Sequence, residues 1–554
     1  MSKEENKDQK EKDKKDFVVT PWDVSGSIDY KKLIEKFGTQ LIDQPLLDKF
    51  KKVTGKELHP WLKRGIYFTH RAFDNFLDAY AAGDPVFLYT GRGPSTEAMH
   101  IGHLIPFIFT KWMQDTFNCP LVIQISDEEK AAFKHVEFEG LHKMGFENAK
   151  EIISCGFDVK KTFIFSNRDY RLACPKYENF TTDFKNNTPI KSIQSIFGLN
   201  EKGNIFMYDW PVYQSVAAFW QAYPHIFGSR PAVCCVPHAI DQDPYFRLAR
   251  DVAAKMNLIK PTNIMCTFIP PITGQDGKMS SSKADATLFL TDDKETVTKK
   301  IMTLCKSGNG NVDEDIAYQY LRYFEMDDAK LETIKNDYSS GKLNDEGIKK
   351  ILIEKLWELM SEIQNNRKKI DDKVLKEYYE LKPIELPKPK MKEVIPEEKE
   401  LYDLLDKFGI KHETKYHTVI TTIDQFEDLE RKINGTICKG LLLKAKEGYI
   451  YFIINEHTNV NIKLLAKSLK MKVLRFAEGD TYQQMLKVHS KTCPSIFAIK
   501  NDNEKKIIKV LIDENIEKTK NVCSLAMRED GTCSIEYADL LKYLKELKYE
   551  VQNV

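Results

Sequence analysis

The chain contains 554 residues with a formal net charge of +1, and its eleven cysteines lack the paired spacing of zinc sites. This length predicts about three or four domains of roughly 150 residues each, while the balanced charge excludes a protein that coats a polyanion through its overall field. No apolar run approaches the ~18 residues needed to cross a bilayer and the N-terminus is unlike a signal or transit peptide, which predicts a cytoplasmic protein with reduced cysteines and no membrane segment.

The first part of the chain has a charged tail followed by an α/β pattern. Residues 1–16 alternate lysine with acidic residues and carry no apolar anchor, which predicts a solvated, disordered tail. From Phe17 the sequence is apolar and prone to β-structure, so we expect a hairpin or lid. Strand-like runs then alternate with helical stretches, as in a parallel α/β sheet of the Rossmann type. The predicted strands are Val86–Tyr89, Leu121–Ile125, Thr162–Phe165, Ala232–Val236 and Asn263–Phe268.

After Lys278 the pattern becomes helical and then changes again. The predicted helices are Asp293–Lys306, Asp313–Tyr323, Asp328–Tyr338 and Asp345–Tyr379. A stretch rich in proline and lysine predicts an extended linker. An α+β pattern follows, with helices Glu398–Phe408 and Tyr537–Lys548 and strands Gly448–Asn455 and Lys506–Ile512. We therefore expect a tail (1–16), an α/β domain with an N-terminal lid segment (17–292), a helical domain (293–380), a linker (381–395) and an α+β domain (396–554).

Two separated motifs carry the chemistry. His100-Ile101-Gly102-His103 follows the strand-like Phe87–Pro94, and Lys278-Met279-Ser280-Ser281-Ser282 lies well downstream. A polyphosphate that is being cleaved needs donors that follow the charge moving onto pyrophosphate, and imidazole, ammonium and hydroxyl groups provide them. Taken alone, the first motif also fits a helix N-terminus with a satisfied core histidine, and the second fits a polar loop. Together, in this order, they predict an ATP-dependent adenylylating enzyme.

With these motifs, several ordered segments resemble the class I aminoacyl-tRNA synthetases, and among them the tryptophan-specific family of the eukaryotic and archaeal type. The matching segments are Tyr89–Phe109, Leu121–Lys130, Phe227–Ala253 and Gly277–Asp292, within a resemblance that covers roughly residues 16–385. It implies a Rossmann catalytic domain, an anticodon-binding helical domain, and ATP-dependent activation of L-tryptophan with transfer to the 2′-hydroxyl of the terminal adenosine of tRNA(Trp). It also implies a homodimer, and Mg²⁺ that comes with ATP rather than from a metal site of the protein.

The resemblance also implies roles for individual residues. Those implied in catalysis are His100, His103, Lys278, Ser280 and Ser281. Those implied in ATP binding are Gly91, Arg92, Gly93, Gly102, Asp241, Met279 and Ser282. Those implied in tryptophan binding are Tyr89, Gln124, Glu129, Gln214 and Gln242.

The expected contacts follow from the chemistry of these side chains. The Tyr89 hydroxyl and the Gln124 amide oxygen can each accept the indole N–H, and a buried acceptor left unpaired rejects phenylalanine. Glu129 is expected on the substrate ammonium, Gln214 and Gln242 on its amino and carboxylate groups, and Asp241 on the ribose. Taken alone, the acidic stretch around Glu129 fits a turn that merely caps a helix.

Three alternatives for this part remain open at the level of sequence. Tyrosyl-tRNA synthetases share the fold but recognise a phenol with a Tyr and Asp pair, whereas this chain presents Gln124, which favours tryptophan. A non-catalytic scaffold that binds tRNA or nucleotide is disfavoured by the intact His100, His103 and Lys278. A nucleotidyltransferase acting on a small metabolite is disfavoured by the long helical region. The segment Ser307–Val312 looks shorter than in the family, so no anticodon-reading residue is assigned.

The C-terminal domain carries a second resemblance. Thr436–Leu443 followed by Asn461–Phe476 resembles the ProX/YbaK-like aminoacyl-tRNA deacylases, and Lys439 matches the lysine that this family uses at its active site. The stretch Thr492–Ala498 lacks two glycines of the family's loop, and Cys523–Met527 lacks its histidine. Two interpretations compete: an editing hydrolase with Lys439 at its site, and an appendage that contacts tRNA or a synthetase complex without catalysis, which these departures favour.

Overall fold

The computed structural model describes residues 17–22, 24–26, 28–134, 136–274, 277–280, 284–386, 393–417, 419, 429–433, 435–477, 479–487 and 494–554. The predicted tail, Ser281, Ser282 and residues 387–392 of the predicted linker lie outside this part. The chain forms two compact units, the first extending to residue 387 and the second consisting mainly of residues 388–554. No helix among the described residues combines the length and apolar composition needed to cross a membrane.

The first unit alternates strands and helices over most of its length. Its strands are β1 (Val18–Val19), β2 (Val24–Ser25), β3 (Gln40–Leu41), β4 (Tyr67–Arg71), β5 (Val86–Arg92), β6 (Leu121–Ile125), β7 (Thr162–Ser166), β8 (Val233–Ala239) and β9 (Thr262–Cys266). Its helices are α1 (Tyr30–Phe37), α2 (Gln44–Thr54), α3 (Pro60–Lys63), α4 (Phe73–Ala82), α5 (Ile101–Phe117), α6 (Glu129–Lys134), α7 (Phe138–Ile153), α8 (Asn167–Ala173), α9 (Pro175–Asn186), α10 (Ile190–Phe197), α11 (Ile205–Val216), α12 (Pro224–Phe227), α13 (Asp243–Lys255), α14 (Lys294–Leu304), α15 (Ile316–Phe324), α16 (Asp328–Ser339), α17 (Asp345–Arg367) and α18 (Asp372–Tyr379). Strands β1 and β2 form the hairpin that the sequence predicts.

The central sheet of this unit has seven strands in the order β3-β4-β9-β8-β5-β6-β7. The five strands from β9 to β7 are parallel, as predicted. Strands β3 and β4 add an antiparallel edge that the sequence analysis did not predict. The segment Tyr67–Arg71 contains three polar residues in five, and so it lacks the continuous apolar run that identifies a strand buried on both faces.

The alternation of side chains along the strands determines the face of the sheet on which the polar residues of the site lie. Leu88 and Ile123 point into the core on one face of the sheet. Tyr89 belongs to the core on the other face, and Gln124, one residue after Ile123, shares that face because successive side chains alternate. Tyr89 and Gln124 are both almost fully buried, with 1% of the surface of each residue exposed to solvent. The alternation thus brings a phenol and an amide together within an otherwise apolar face.

The helical region departs from the prediction at one point. A single helix was expected over Asp345–Tyr379, but the structure contains two, α17 and α18. The second begins because the Asp371 carboxylate accepts the Val374 N–H at 2.8 Å and so caps a new N-terminus. The end of α17 packs on α7, where the Asn366 side chain donates to the Ser154 carbonyl at 3.3 Å and Arg367 pairs with Glu147 at 2.5 Å.

The second unit is α+β, as predicted. Its strands are β10 (Glu413–Tyr416), β11 (Thr436–Ala445), β12 (Gly448–Asn455), β13 (Arg475–Phe476), β14 (Ile507–Ile512), β15 (Asn521–Leu525), β16 (Gly531–Glu536) and β17 (Val551–Asn553). Its helices are α19 (Pro396–Lys407), α20 (Ile462–Ser468), α21 (Gly479–Leu486) and α22 (Tyr537–Glu546). The sheet runs β10-β16-β15-β11-β12-β14-β17, with β13 paired to β11, and mixes parallel and antiparallel pairs. One face forms the larger core with α19 and α22, and the other forms a smaller core under α20.

Candidate active site

A cavity of about 310 Å³ opens at the carboxyl ends of the parallel strands of the first unit, which is where ligands bind in open α/β sheets. It is lined by the predicted site residues Tyr89, Gly91, Arg92, Gly93, His100, Gly102, His103, Gln124, Glu129, Gln214, Asp241, Gln242, Lys278, Met279 and Ser280. The two separated motifs therefore meet in one place. Ser281 and Ser282 lie outside the described residues, and the roles of all these residues stay predictions.

One end of the cavity holds a chain of buried hydrogen bonds. The Tyr89 hydroxyl donates to the Gln124 amide oxygen at 2.6 Å. The Gln124 amide nitrogen donates to Asn167 Oδ1 at 3.0 Å and to the Tyr213 carbonyl at 3.4 Å. Because these protons are used inside the protein, the pair presents oxygen lone pairs to a ligand. This end of the cavity is suited to an apolar group that carries a single N–H donor.

The neighbouring wall carries one carboxylate and two amides. Glu129 begins α6, and its carboxylate pairs with Lys130 at 3.3 Å. A Cβ atom at Gly93 would collide with that carboxylate, so the glycine leaves the space that Glu129 occupies. The Gln214 amide nitrogen donates to the Gln242 amide oxygen at 3.1 Å. A carboxylate beside two amides fits the ammonium and carboxylate of an amino acid.

The two motif histidines lie together at the start of α5. Their rings stack with centroids 3.5 Å apart and planes 19° apart. His103 Nδ1 accepts the backbone N–H of His100 at 3.3 Å, which leaves the His103 proton on Nε2. Burial, with Arg92 and Lys278 nearby, lowers the pKa of His100 to about 3, and burial likewise holds the pKa of His103 well below its usual range. Both rings are therefore neutral at physiological pH and act through single N–H groups.

Several buried polar atoms of the cavity have no hydrogen-bond partner among the described residues. They include Arg92 Nε and Nη2, His100 Nδ1 and Asp241 Oδ1. The remaining Arg92 nitrogen donates to the Gly93 carbonyl at 2.6 Å. Burial lowers the pKa of Arg92 to about 10. An unpaired buried cation is costly unless a counter-charge satisfies it, so these atoms indicate an anionic ligand with both donor and acceptor groups.

The downstream motif lines the same cavity as the histidines. Lys278 Nζ pairs with Asp241 Oδ2 at 2.5 Å and lies 5.6 Å from the centre of the Phe268 ring. Met279 is buried, and its N–H donates to the Ile269 carbonyl at 3.3 Å. A bound nucleotide that uses both Asp241 and Lys278 must therefore separate this ion pair.

The segment in front of His100 is fixed by a carboxylate that the sequence analysis missed. Glu151 on α7 accepts the Met99 N–H at 2.7 Å, and its other oxygen has no partner among the described residues. Burial, only partly opposed by that hydrogen bond and by Arg367 and Arg92, raises the pKa of Glu151 to about 7. Glu151 thus positions the backbone next to a motif histidine without lining the cavity.

Two further residues, one lining the cavity and one behind Gln124, were not predicted from the sequence. Trp22, in the turn of the β1–β2 hairpin, lines the cavity and stacks on Phe133 with centroids 4.5 Å apart. Asn167 follows β7 directly and holds the Gln124 amide in place. Its position after a parallel strand was a usable signal, because polar residues at such ends converge on the site. Trp22 carried no comparable signal beyond the predicted hairpin.

Lys439 of the second unit is paired rather than solvated. Its ammonium donates to the Glu456 carbonyl at 3.0 Å and to Glu456 Oε1 at 3.1 Å. The next residue, Gly440, lies against the Tyr451 hydroxyl, with which a Cβ atom would collide. Thr492 and Cys493, which begin the stretch that lacks two glycines of the family's loop, lie outside the described residues. The stretch around Ser524 is a buried strand, where the Ser524 hydroxyl is engaged within the protein because it donates to the Cys438 carbonyl at 2.8 Å.

No metal-binding cluster stands out in the part of the chain that the structure describes. Groups of three or more His, Cys, Asp and Glu side chains arranged to hold an ion do not occur among those residues.

Two protein families match the chain. Residues 81–361 match the family described as tRNA synthetases class I (W and Y). Residues 417–543 match the family described as aminoacyl-tRNA editing domain. The first match covers about half of the chain and includes most of the residues that line the cavity.

Individual relatives agree with the first family. The cytoplasmic tryptophan–tRNA ligase of Oryctolagus cuniculus is 43% identical over 382 residues, which cover 66% of this chain and 80% of the relative. That of Arabidopsis thaliana is 40% identical over 396 residues, covering 69% of this chain and 98% of the relative. The structure of the tryptophanyl-tRNA synthetase from Encephalitozoon cuniculi bound to tryptophan superposes with a TM-score of 0.59 at 36% identity, covering 64% of this chain and all of that one.

Proposed function

This chain belongs to the class I tRNA synthetases of the tryptophan and tyrosine group, and from that premise we propose how its residues ligate tryptophan to tRNA. The reaction uses ATP to form tryptophanyl-adenylate and pyrophosphate, and then transfers the tryptophanyl group to tRNA(Trp). The relatives at 40–43% identity that carry the name tryptophan–tRNA ligase support tryptophan over tyrosine.

In the first step the tryptophan carboxylate attacks the α-phosphate of ATP in line, and the bond to pyrophosphate breaks. Glu129 binds the substrate ammonium, while Gln214 and Gln242 orient its amino and carboxylate groups. Gly91 and Gly102 let the nucleotide approach the backbone closely, and Gly93, beside the nucleotide, leaves the space that the Glu129 carboxylate occupies. Positioning the two reactants in this way removes most of the entropic cost of their encounter.

The leaving pyrophosphate is stabilised by donors on both sides of the cavity. Neutral His100 and His103 donate N–H groups to the phosphates, and Arg92 supplies a buried counter-charge. Lys278 leaves Asp241 and follows the charge that develops on pyrophosphate, while Asp241 turns to the ribose hydroxyls. Magnesium bound to the nucleotide spreads the phosphate charge. Met279, Ser280, Ser281 and Ser282 order the loop that carries Lys278.

Tryptophan is selected at the end of the cavity formed by Tyr89 and Gln124. Each oxygen can accept the indole N–H, and the fixed orientation of Gln124 keeps its own donors away from the ligand. Phenylalanine leaves these buried acceptors unpaired, and a site built on such acceptors rejects the analogue by about 10⁴- to 10⁵-fold. Tyrosine fails for a different reason, because its hydroxyl oxygen is itself an acceptor and the Tyr89 and Gln124 protons are already engaged within the protein.

The observation that carries this proposal is the meeting of both motifs with the Tyr89–Gln124 pair in one cavity. Pyrophosphate exchange with each of the twenty amino acids, using the wild type and Lys278→Ala, tests it. We expect exchange with tryptophan alone and a fall of about 100- to 1,000-fold in Lys278→Ala. Lys255→Ala, at the exposed end of α13, is the matched control. Exchange with tyrosine would overturn the pocket assignment, and no exchange would favour a non-catalytic scaffold.

For the second unit we infer a role in binding tRNA, in keeping with its match to an editing family. Both hydrogen bonds of the Lys439 ammonium go to Glu456, which leaves little of its charge for an ester carbonyl. A deacylation assay with mischarged tRNA, comparing the wild type with Lys439→Met, separates the two interpretations. Hydrolysis that disappears in the variant would establish an editing hydrolase instead.

We also propose a cytoplasmic homodimer. The names of the relatives support the compartment. Three large apolar side chains on α8, α10 and α11 are exposed, namely Leu172 at 77%, Ile190 at 65% and Ile205 at 88%, and burying them in an interface would remove apolar area from water. Light scattering should give the mass of a dimer for the wild type and the mass of a monomer for Ile205→Glu. A monomeric wild type would contradict the proposal.

A further inference from the structure

One segment of the second unit has an unusual charge pattern. Between Glu456 and Glu478 the sequence contains no acidic residue. The same stretch contains five exposed cations, Lys463, Lys467, Lys470, Lys472 and Arg475. None of the five forms an ion pair with another described residue. In a chain whose acidic and basic residues number 82 and 83, such a one-sided stretch creates a local positive field rather than a balanced, solvated face.

Apolar side chains lie exposed among these cations. Leu464 is 65% exposed, Val473 45% and Phe476 53%. The segment nevertheless has a fixed backbone, because its other apolar residues, including Leu465, Leu469 and Met471, pack on the smaller core of the sheet. We call the five cations together with Leu464, Val473 and Phe476 the basic surface.

Phe476 and the lysines of α20 lie on the same face of the sheet as Lys439, whereas Arg475, opposite Lys444, points to the other face. Along β11, Lys439, Leu441 and Leu443 share one face because side chains alternate. Phe476 on β13 is directly opposite Leu443, and opposed residues of antiparallel strands point to the same face. Leu443 lies four residue steps along the strand from Lys439, a distance of about 13 Å. A chain that follows the basic surface therefore reaches Lys439 without crossing the sheet.

From this arrangement we propose that the basic surface docks the single-stranded end of an RNA, with Phe476 stacking on a base and the lysines following the phosphates towards Lys439. Positive grooves with exposed aromatic rings are the general means of binding single strands without sequence preference. A duplex has no free base to stack on Phe476. The inference rests on the proposed tRNA-binding role of the second unit and names the surface that performs it.

The test measures the affinity of the full-length protein for a short single-stranded RNA ending in CCA, by fluorescence anisotropy over a series of salt concentrations. The main variant is Lys463→Gln/Lys467→Gln/Lys470→Gln/Lys472→Gln. We expect its Kd to rise at least tenfold at low salt. Each phosphate contact contributes about 0.7 to the slope of log K against log salt, so four lost contacts should flatten the slope by about 3. Phe476→Ala should weaken binding about tenfold and leave the slope unchanged.

A matched control changes four exposed lysines elsewhere in the same unit. Lys399→Gln/Lys407→Gln/Lys411→Gln/Lys545→Gln removes the same charge from α19, the loop after it and α22. Its affinity should stay within twofold of the wild type. An equal loss in both quadruple variants would overturn the proposal, because the effect would then be one of net charge.

Other outcomes also decide the matter. Unchanged RNA affinity in the main variant overturns the proposal. RNA binding that ignores Phe476→Ala also overturns it, because the protein would then contact phosphates without stacking on a base. Binding to anionic vesicles without binding to RNA overturns it in favour of a membrane. Tryptophan-dependent pyrophosphate exchange, measured in every variant, should not change. Loss of exchange in the wild type would instead count against the proposed function of the first unit.

Discussion

Replacing Glu151 by glutamine should change how the stability of the first unit depends on pH. Burial raises the pKa of Glu151 from its ordinary value of 4.5 to about 7. The folded state therefore holds this proton more tightly than the unfolded state does, so the contribution to stability is fully present below pH 4.5 and is lost as the pH rises to about 7. The pKa difference corresponds to about 3 kcal/mol. Glu151→Gln cannot ionise and should escape this loss.

The assay is urea unfolding followed by tryptophan fluorescence between pH 4.5 and 8. All six tryptophans of the chain lie in the first unit, so the signal reports that unit alone. The wild type should lose about 3 kcal/mol relative to Glu151→Gln over this range. A difference that does not change with pH, or that grows in the opposite direction, would refute the assignment of the raised pKa to this carboxyl group.

The same residue can be tested through activity. Glutamine keeps an oxygen that can accept the Met99 N–H, whereas alanine leaves that buried donor unpaired at a cost of about 1–3 kcal/mol. Glu151→Ala should therefore raise the KM for ATP in pyrophosphate exchange, and Glu151→Gln should remain near the wild type. Equal defects in both variants would contradict a role in positioning the backbone before His100.

Other expected outcomes concern the cavity itself. Lys278→Ala should lower kcat for exchange while the Kd for tryptophan, measured by calorimetry, stays within twofold, because the lysine acts on the phosphates. Tyr89→Phe removes one acceptor and should raise the KM for tryptophan about tenfold, the effect of a lost hydrogen bond of ~1.4 kcal/mol. Because burial holds the pKa values of His100 and His103 well below 6.5, kcat/KM for ATP should show no protonation step of these rings near pH 6.5 in the Glu151→Gln background.

Local sequence patterns were enough to predict a strand where its own residues determine its structure. Leu121–Ile125 is a continuous apolar run of strand length, and the structure places β6 over those same residues. Gly448–Asn455 was likewise predicted with the correct bounds. The prediction of one helix over Asp345–Tyr379 was wrong. The Asp371 side chain caps a new helix and so competes with continuation of the first, and hydrophobic periodicity alone does not reveal such a cap.

Contacts between residues far apart in the chain could not be predicted from the sequence. Glu151 meets the Met99 amide across 52 residues, and nothing in α7 distinguishes this carboxylate from others on its helix. The pairing of Lys278 with Asp241 also depends on how two loops meet after folding. The motifs predicted which side chains belong to the cavity, but the hydrogen bonds that orient them arise from the tertiary structure.

The buried chain from Tyr89 through Gln124 to Asn167 has a practical consequence for amino-acid analogues. Since both protons of the Gln124 amide and the Tyr89 proton are engaged by the protein, the cavity offers only acceptors to the ring. Fluoro- and azatryptophans keep the ring N–H and should be incorporated into protein by this chain. Benzothienylalanine has the same shape but carries sulfur in place of N–H, and the chain should exclude it. Isotopic and fluorescent labelling of proteins through this chain should therefore be open to one group of analogues and closed to the other.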